Sequence, residues 1–260
     1  MSVLSHLTDT ASRAVLSASE NTSITSSIAN LQSKLSAHFS SDVSEHFKFG
    51  SFTRDTILPR SIDSHSDVDY MVVFRDAGSK PQTYLDRLRR FVESKYSRSE
   101  IYQSSPTIVL DLSHIKFEIV PAVAIYSGYN IPAPASNWSD WMATYPNSFN
   151  SKLVEANKQH QFNLKPLIRL VKYWNSHSGY VFDSFPLEQH LVDSAYYHTT
   201  LKEYLYSAID SLNLGWGEAQ WRKDKLTRAK EIVNNTRAYE AQQMPATAES
   251  EIKKLLPSIS

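Results

Sequence analysis

Apolar residues recur at helical spacing through Ile28, Leu31, Leu35 and Phe39, which predicts a helix ending near Phe39, with Asn21-Thr22 as its cap. Residues 1 to about 20 are rich in Ser, Thr and Ala and weakly patterned. Gly78-Ser79 breaks the chain, and Pro81 suits a helix start. The helix after it places Tyr84, Leu85, Leu88, Phe91 and Val92 on one face. Between these helices, "SDVDYMVVF" (66–74) reads as a strand built for burial. Two β-rich runs follow, "TIVLDL" (107–112) and "IKFEIVPAV" (115–123), with Ser113-His114 between them as a hairpin turn. From Trp138 onward the pattern reads as helical, ending in a short helix near 249–256. The prediction is a mixed α/β front half (1–135) and a helical back half (136–260), divided in the "NIPAPAS" loop (130–136).

Composition narrows the class. Hydrophobic residues make up 41% of the 260, a globular value. Basic and acidic residues balance at 27 each, so no global positive field draws nucleic acid, and strong constitutive nucleic-acid binding is not expected. The absence of cysteine excludes disulfides and cysteine metal sites. No run approaches a membrane-spanning length, and the N-terminus lacks the apolar core of a signal peptide. A soluble, cytoplasmic protein with no membrane association is the expectation.

One strand carries chemistry that burial does not explain. Residues i and i+2 of a strand share a face, so Asp67 and Asp69 project together while Val68, Tyr70 and Val72 face the other way. Adjacent carboxylates repel, and a cation between them resolves the conflict. Oxygen-only ligands favour Mg²⁺ or Mn²⁺; a solvated strand end is the alternative. Glu118 lies on an otherwise apolar run and needs a partner, either Lys116 or an arginine, or the same metal. Gly50-Ser51, upstream, reads as an ordinary turn or as a cradle of N–H groups and a hydroxyl for a phosphate. In "NLKPLIRLVKYWN" (163–175), Lys165, Arg169 and Lys172 form a cationic stripe opposite the apolar face. Such a stripe is the wet side of a helix or a phosphate contact.

Taken together and in this order, "GSFTR…SDVDYMVVF", "FEIVPAV", "LIRLVKYWN" and "SFPLEQHLV" resemble the DNA-polymerase-beta-like nucleotidyltransferase superfamily. Within it they look most like the branch of oligoadenylate synthases, cyclic GMP–AMP synthase and the bacterial cyclic-oligonucleotide synthases (CD-NTases) of anti-phage defence. The resemblance covers roughly residues 46 to 195. It implies an α+β, bilobed fold: a mixed β-sheet catalytic core flanked by helices, and a C-terminal helical lobe. It further implies that Gly50 and Ser51 bind the triphosphate of a donor nucleotide, and that Asp67, Asp69 and Glu118 are catalytic ligands of two Mg²⁺ (or Mn²⁺) ions. Lys172 and Arg169 match helix residues that contact phosphates. Ser184 matches a phosphate-contacting serine, and Phe185 an aromatic ring that stacks on the donor base. The implied substrates are nucleoside triphosphates, and an activating partner protein or ligand is compatible.

Two departures stand out. Asp55 occupies a position where the family often has glycine, and the loop 58–66 is longer than in many members; its Asp63 is out of phase with the strand. The favoured product is a cyclic or linear oligonucleotide second messenger. The rivals are a template-independent transferase acting on RNA or another acceptor, and a catalytically silent nucleotide or RNA sensor. An RNA enzyme would need an extended basic track. The candidates are Arg87, Arg89, Arg90, Lys95 and Arg98, and Arg222, Lys223, Lys225, Arg228 and Lys230. The back-half aromatics (Trp138, Trp141, Tyr173, Trp174, Tyr196, Tyr197, Trp216 and Trp221) read mostly as core.

Overall fold

The computed structural model describes residues 2–104, 106–134 and 139–259. Its contacts separate a sheet unit (16–60 and 65–151) from a helical unit (1–15, 61–64 and 152–260).

The sheet unit opens with α2 (Ala18–Phe39), preceded in the chain by α1 (Val3–Arg13) of the helical unit. Helix α2 starts earlier than Asn21: Ser17 is its cap and exchanges hydrogen bonds with Glu20 in a capping box. β1 (Val43–Phe49) leads into a single helical turn, α3 (Gly50–Thr53), and then β2 (Asp67–Phe74). α4 (Pro81–Lys95), β3 (Glu100–Ser104), β4 (Thr107–Asp111), β5 (Lys116–Ile125), β6 (Gly128–Pro132) and β7 (Trp141–Thr144) complete it. The strands form one sheet in the order β1-β2-β5-β4-β3, with β6 beside β5 and β7 beside β6. β2 and β5 run parallel, and the other pairs are antiparallel, so the sheet is mixed as the family resemblance implies.

One sheet face carries the main core. Val68, Tyr70, Val72 and Phe74 of β2 and Phe117 and Ile119 of β5 pack with Leu31 and Leu35 of α2 and with Tyr84, Leu88 and Phe91 of α4. The opposite face holds a smaller cluster, Met71, Val73 and Ala122, flanked by Phe47, Phe49, Tyr129 and Ile131. The alternation read from β2 is therefore real: even positions enter the main core, and odd positions share the face of Asp67 and Asp69.

Three elements depart from the sequence reading. Residues 3–13 form α1, capped by a reciprocal Ser2–Ser5 pair that contains no acid to signal it. β7 is a strand where the pattern suggests a helix, and its pairing (Pro132↔Trp141, Ile131↔Met142) ties it to the sheet. Because that hairpin belongs to the sheet, the division between units falls inside α5 (Ser148–Gln159) and not in the loop at 130–136. Of the residues at this boundary, Ala135, Ser136, Asn137 and Trp138 lie outside the described residues.

The helical unit consists of α1, the rest of α5, α6 (Leu164–His177), α7 (Ser184–Asp193), α8 (Leu201–Ser211), α9 (Gln220–Ala241) and α10 (Pro245–Ile252). Helix α1 is tied to the chain's end by His6, whose Nε2 donates to the Leu256 carbonyl at 2.8 Å. Among the aromatics, Tyr173, Trp174 and Tyr196 are buried as expected. Tyr197, Trp216 and Trp221 are not core: they are exposed, Trp216 fully so.

Candidate active site

The site is built on the central parallel pair. In the β2–β5 register, Asp67 lies opposite Lys116 and Asp69 opposite Glu118. Val68, Tyr70, Phe117 and Ile119 all point into the main core, so Asp67, Asp69 and Glu118 share the other face. Strand pairing thus supplies what the linear sequence could not, a glutamate level with the second aspartate.

β1 brings the fourth component. Phe49 pairs with Asp69, and the chain turns immediately afterwards at Gly50. Gly50 has φ +72°, and a Cβ there would sit 1.7 Å from Oδ2 of Asp69. Glycine is required twice at this position, for the left-handed backbone and for the approach of the carboxylate. The turn is braced internally. Thr53 Oγ1 donates to the Gly50 carbonyl at 2.8 Å, and the Thr56 N–H donates to the Ser51 carbonyl at 3.0 Å.

Electrostatics mark Glu118 as the unusual acid. Burial pushes its carboxyl pKa up, while the charge of Lys116 and a hydrogen bond with Asp67 pull the other way. Of the partners expected for Glu118, Lys116 acts on it through its field, and Asp67 adds a side-chain hydrogen bond. Among the described residues, no group of three or more His, Asp or Glu side chains is gathered so that it could hold a metal ion. Asp67 and Glu118 instead contact each other through a side-chain hydrogen bond. The donor set is nonetheless oxygen-only, on one face, beside a glycine cradle, which suits a hard divalent cation.

The two puzzling acids of the intervening loop have structural answers. Asp55 follows α3 with φ +57°, the left-handed region in which glycine is usual and Asp and Asn are the tolerated substitutes. Asp55→Gly is expected to leave stability within about 0.5 kcal/mol, since Asp is already among the side chains that accept this conformation. Asp55→Val, β-branched at the same φ, is expected to cost more than ~1 kcal/mol. Thermal denaturation of both variants checks the pair. Asp63 is buried and accepts a hydrogen bond from the Tyr180 hydroxyl, both residues belonging to the helical unit.

The remaining predicted site residues lie in the helical unit. Lys172 is buried on α6, a notable place for an ammonium, and Arg169 is half-buried on the same helix. Asn163 precedes α6 as its cap position, but makes no side-chain capping bond. Ser184 opens α7 and is exposed; Phe185 beside it is 45% exposed, a large apolar ring left at the surface.

Half of the ten basic side chains named for the two RNA tracks are engaged otherwise, four of them in the second track. Arg87 pairs with Asp42 and lies 4.6 Å from the centre of the Phe74 ring. Arg222 pairs with Glu218 at 3.1 Å and Arg228 with Glu231 at 3.2 Å. Lys223 and Lys230 donate to the carbonyls of Trp216 and Asp210.

Known proteins resemble this chain in sequence and in fold. A probable cyclic nucleotide synthase of Bacillus cereus (strain VD146) is 28% identical over 207 residues, or 63% of this chain. The match spans 60% of that protein's own length. The Bradyrhizobium diazoefficiens CD-NTase CdnG, solved in complex with GTP, superposes with a TM-score of 0.70 at 14% identity, covering 97% of this chain and 98% of that one. The E. coli MS115-1 CdnC:HORMA-deltaN complex gives the same TM-score and identity, with 99% and 98% covered. These structures establish the fold, a CD-NTase fold with a mixed sheet and flanking helices. A family model, the Second Messenger Oligonucleotide or Dinucleotide Synthetase (SMODS) domain, matches residues 1–157, which include all of β1 to β7 and the four components of the site. The chain belongs to the SMODS family.

Proposed function

We propose that this chain is a nucleotidyltransferase that joins nucleoside triphosphates into a cyclic or linear oligonucleotide second messenger, acting in the bacterial cytoplasm in anti-phage signalling. The observation that carries the reading is the level alignment of Asp69 and Glu118 on adjacent parallel strands, with Asp67 on the same face and Gly50 against the Asp69 carboxylate.

In the reaction, an acceptor ribose hydroxyl loses its proton to solvent as its oxygen bonds to the α-phosphorus of a donor nucleotide. The bond between the α-phosphorus and the bridging oxygen breaks, and pyrophosphate leaves. Mg²⁺ or Mn²⁺, as an ion pair when bound, would lower the pKa of the hydroxyl and neutralise charge on both oxygens. Asp67 and Asp69 would hold the ions, with Glu118 completing the set. A cation beside Glu118 would favour its charged form, opposing the upward pull of burial. Gly50 allows the close turn against Asp69, and Ser51 follows it as the residue whose hydroxyl would meet the donor phosphates, a role that rests on the motif resemblance. The phosphate roles of Arg169, Lys172 and Ser184 and the base-stacking role of Phe185 rest on the motif resemblance.

Engagement of Arg87, Arg222, Lys223, Arg228 and Lys230 by acids, rings and carbonyls disfavours the RNA-terminal reading. An activating partner protein is compatible with the reading, since the E. coli neighbour was solved with HORMA-deltaN. No helix among the described residues is long and apolar enough to cross a membrane.

The test is product analysis. The purified chain is incubated with all four labelled nucleoside triphosphates and Mg²⁺ or Mn²⁺, and products are treated with phosphatase and linkage-specific nucleases. A phosphatase-resistant oligonucleotide supports the cyclic messenger. Products that form only with added RNA would replace it with the terminal transferase, and nucleotide binding without turnover would replace it with the sensor.

A further inference from the structure

The Gly50-Ser51 turn is carried by α3, which is four residues long. A helix of one turn has no cooperative stability of its own, because nucleation fixes more dihedral angles than its few hydrogen bonds repay. Its position is therefore set by what packs on it. Phe52 anchors one side in the main core. On another side stands the first turn of α5, far away in sequence. There Asn150 Nδ2 donates to Thr53 Oγ1 at 3.4 Å, the hydroxyl that itself donates to the Gly50 carbonyl, and to Asn147 Oδ1 at 3.3 Å. Beside it, the guanidinium of the buried Arg54 lies 5.5 Å from the centre of the buried Phe149 ring. A cation–π contact gains strength when both partners are desolvated.

Asn150 is a poor choice for packing alone. Its Oδ1 is buried without a hydrogen-bond partner, a standing desolvation penalty that a leucine of similar size would not incur. The amide is oriented to serve Thr53 at the expense of its own oxygen. An interaction that costs stability beside a candidate phosphate turn points to function.

We propose that Asn150 and Phe149 are positioning residues for the donor-phosphate turn, acting on Gly50-Ser51 through Thr53 and Arg54. This rests on the nucleotidyltransferase reading of the same site. Neither residue needs to touch the nucleotide. Each adds a contact to a turn that Phe52, Thr53 and Thr56 already brace.

The experiment measures two quantities on the full chain: melting temperature, and affinity for a non-hydrolysable ATP or GTP analogue with Mg²⁺ by calorimetry. Asn150→Leu is expected to melt at the wild-type temperature or above it, yet to bind the analogue roughly three- to tenfold more weakly. Phe149→Leu, which keeps apolar bulk and loses the ring face, is expected to weaken binding to a similar degree. In a double-mutant cycle, Asn150→Leu should add nothing to Thr53→Val, because both act on one hydrogen-bond chain. A purely structural role would lower the melting temperature and leave the affinity of the folded protein unchanged, and that result overturns the proposal. So do effects of Asn150→Leu and Thr53→Val that multiply. A wild-type chain that binds no nucleotide would overturn the functional reading itself; wild-type binding matched by Asn150→Leu would overturn this inference alone.

Discussion

Asp69→Asn is expected to reduce nucleotide transfer by about 10³-fold or more, with the fold intact. The substitution keeps size and shape and removes one negative charge. Asp69 stands level with Glu118, and its Oδ2 lies where a Gly50 Cβ would be. As a ligand of the proposed ions it serves the reacting centre directly, so its loss cannot be offset by binding elsewhere. Stability should move in the opposite direction or not at all. Three carboxyls share one face, and their mutual repulsion falls when one becomes an amide. A melting temperature equal to or slightly above the wild type, together with the loss of transfer, is the signature of a functional acid. A lowered melting temperature with partial activity would mark Asp69 as a structural residue.

Gly50→Ala should be nearly as damaging by a different route. A methyl group 1.7 Å from a carboxylate oxygen is impossible, so either Asp69 swings away or the β1–α3 junction shifts. The backbone adds its own cost, since alanine at φ +72° is strained by about 1–2 kcal/mol. Displacing a reacting group by about 1 Å can cost 10²-fold in rate. Expected together are a loss of roughly 2 kcal/mol or more in stability and at least ~10²-fold in transfer. Chemical denaturation and a transfer assay on the same preparation check both. Retained activity would show that the close approach of Gly50 and Asp69 is incidental.

The contrast between these two variants shows how far the sequence alone reaches. The same-face placement of Asp67 and Asp69 follows from the period of a strand, and the strand is recognisable from its apolar run. Their company is less accessible. That Glu118 stands beside Asp69 depends on parallel pairing between β2 and β5, a contact across 49 positions that no local pattern encodes. Only the ordered set of motifs points to it. Gly50 is legible as a turn, but its closeness to Asp69 is a tertiary fact. β1 escapes recognition as a strand because it is a sheet edge, with Glu45, His46 and Lys48 interrupting its apolar positions. β7 is hidden by its shortness and its Trp-Met start, which suits a helix equally well. Asp55 looks like a departure from pattern, and its left-handed backbone is one that glycine also favours.

The helical unit is legible as helices and less so at its surface. Aromatics at helical spacing are mostly core, and Tyr173, Trp174 and Tyr196 obey that rule. Trp216 does not, because it sits between Gly215 and Gly217 in a loop, where no helix face exists to bury it. The first helix is hard to see because its cap is Ser with Ser, and four of its exposed residues, Ser5, Thr8, Asp9 and Ser12, favour caps and turns over helix interiors.

The most direct test of the central claim is the phosphorus released from a nucleoside triphosphate. Phosphorus NMR of the wild-type chain with ATP, GTP and Mg²⁺ should show pyrophosphate appearing in step with new phosphodiester signals, one for each bond formed, and neither should appear with Asp69→Asn. Release of orthophosphate without phosphodiester, or equal pyrophosphate from the wild type and Asp69→Asn, would contradict it.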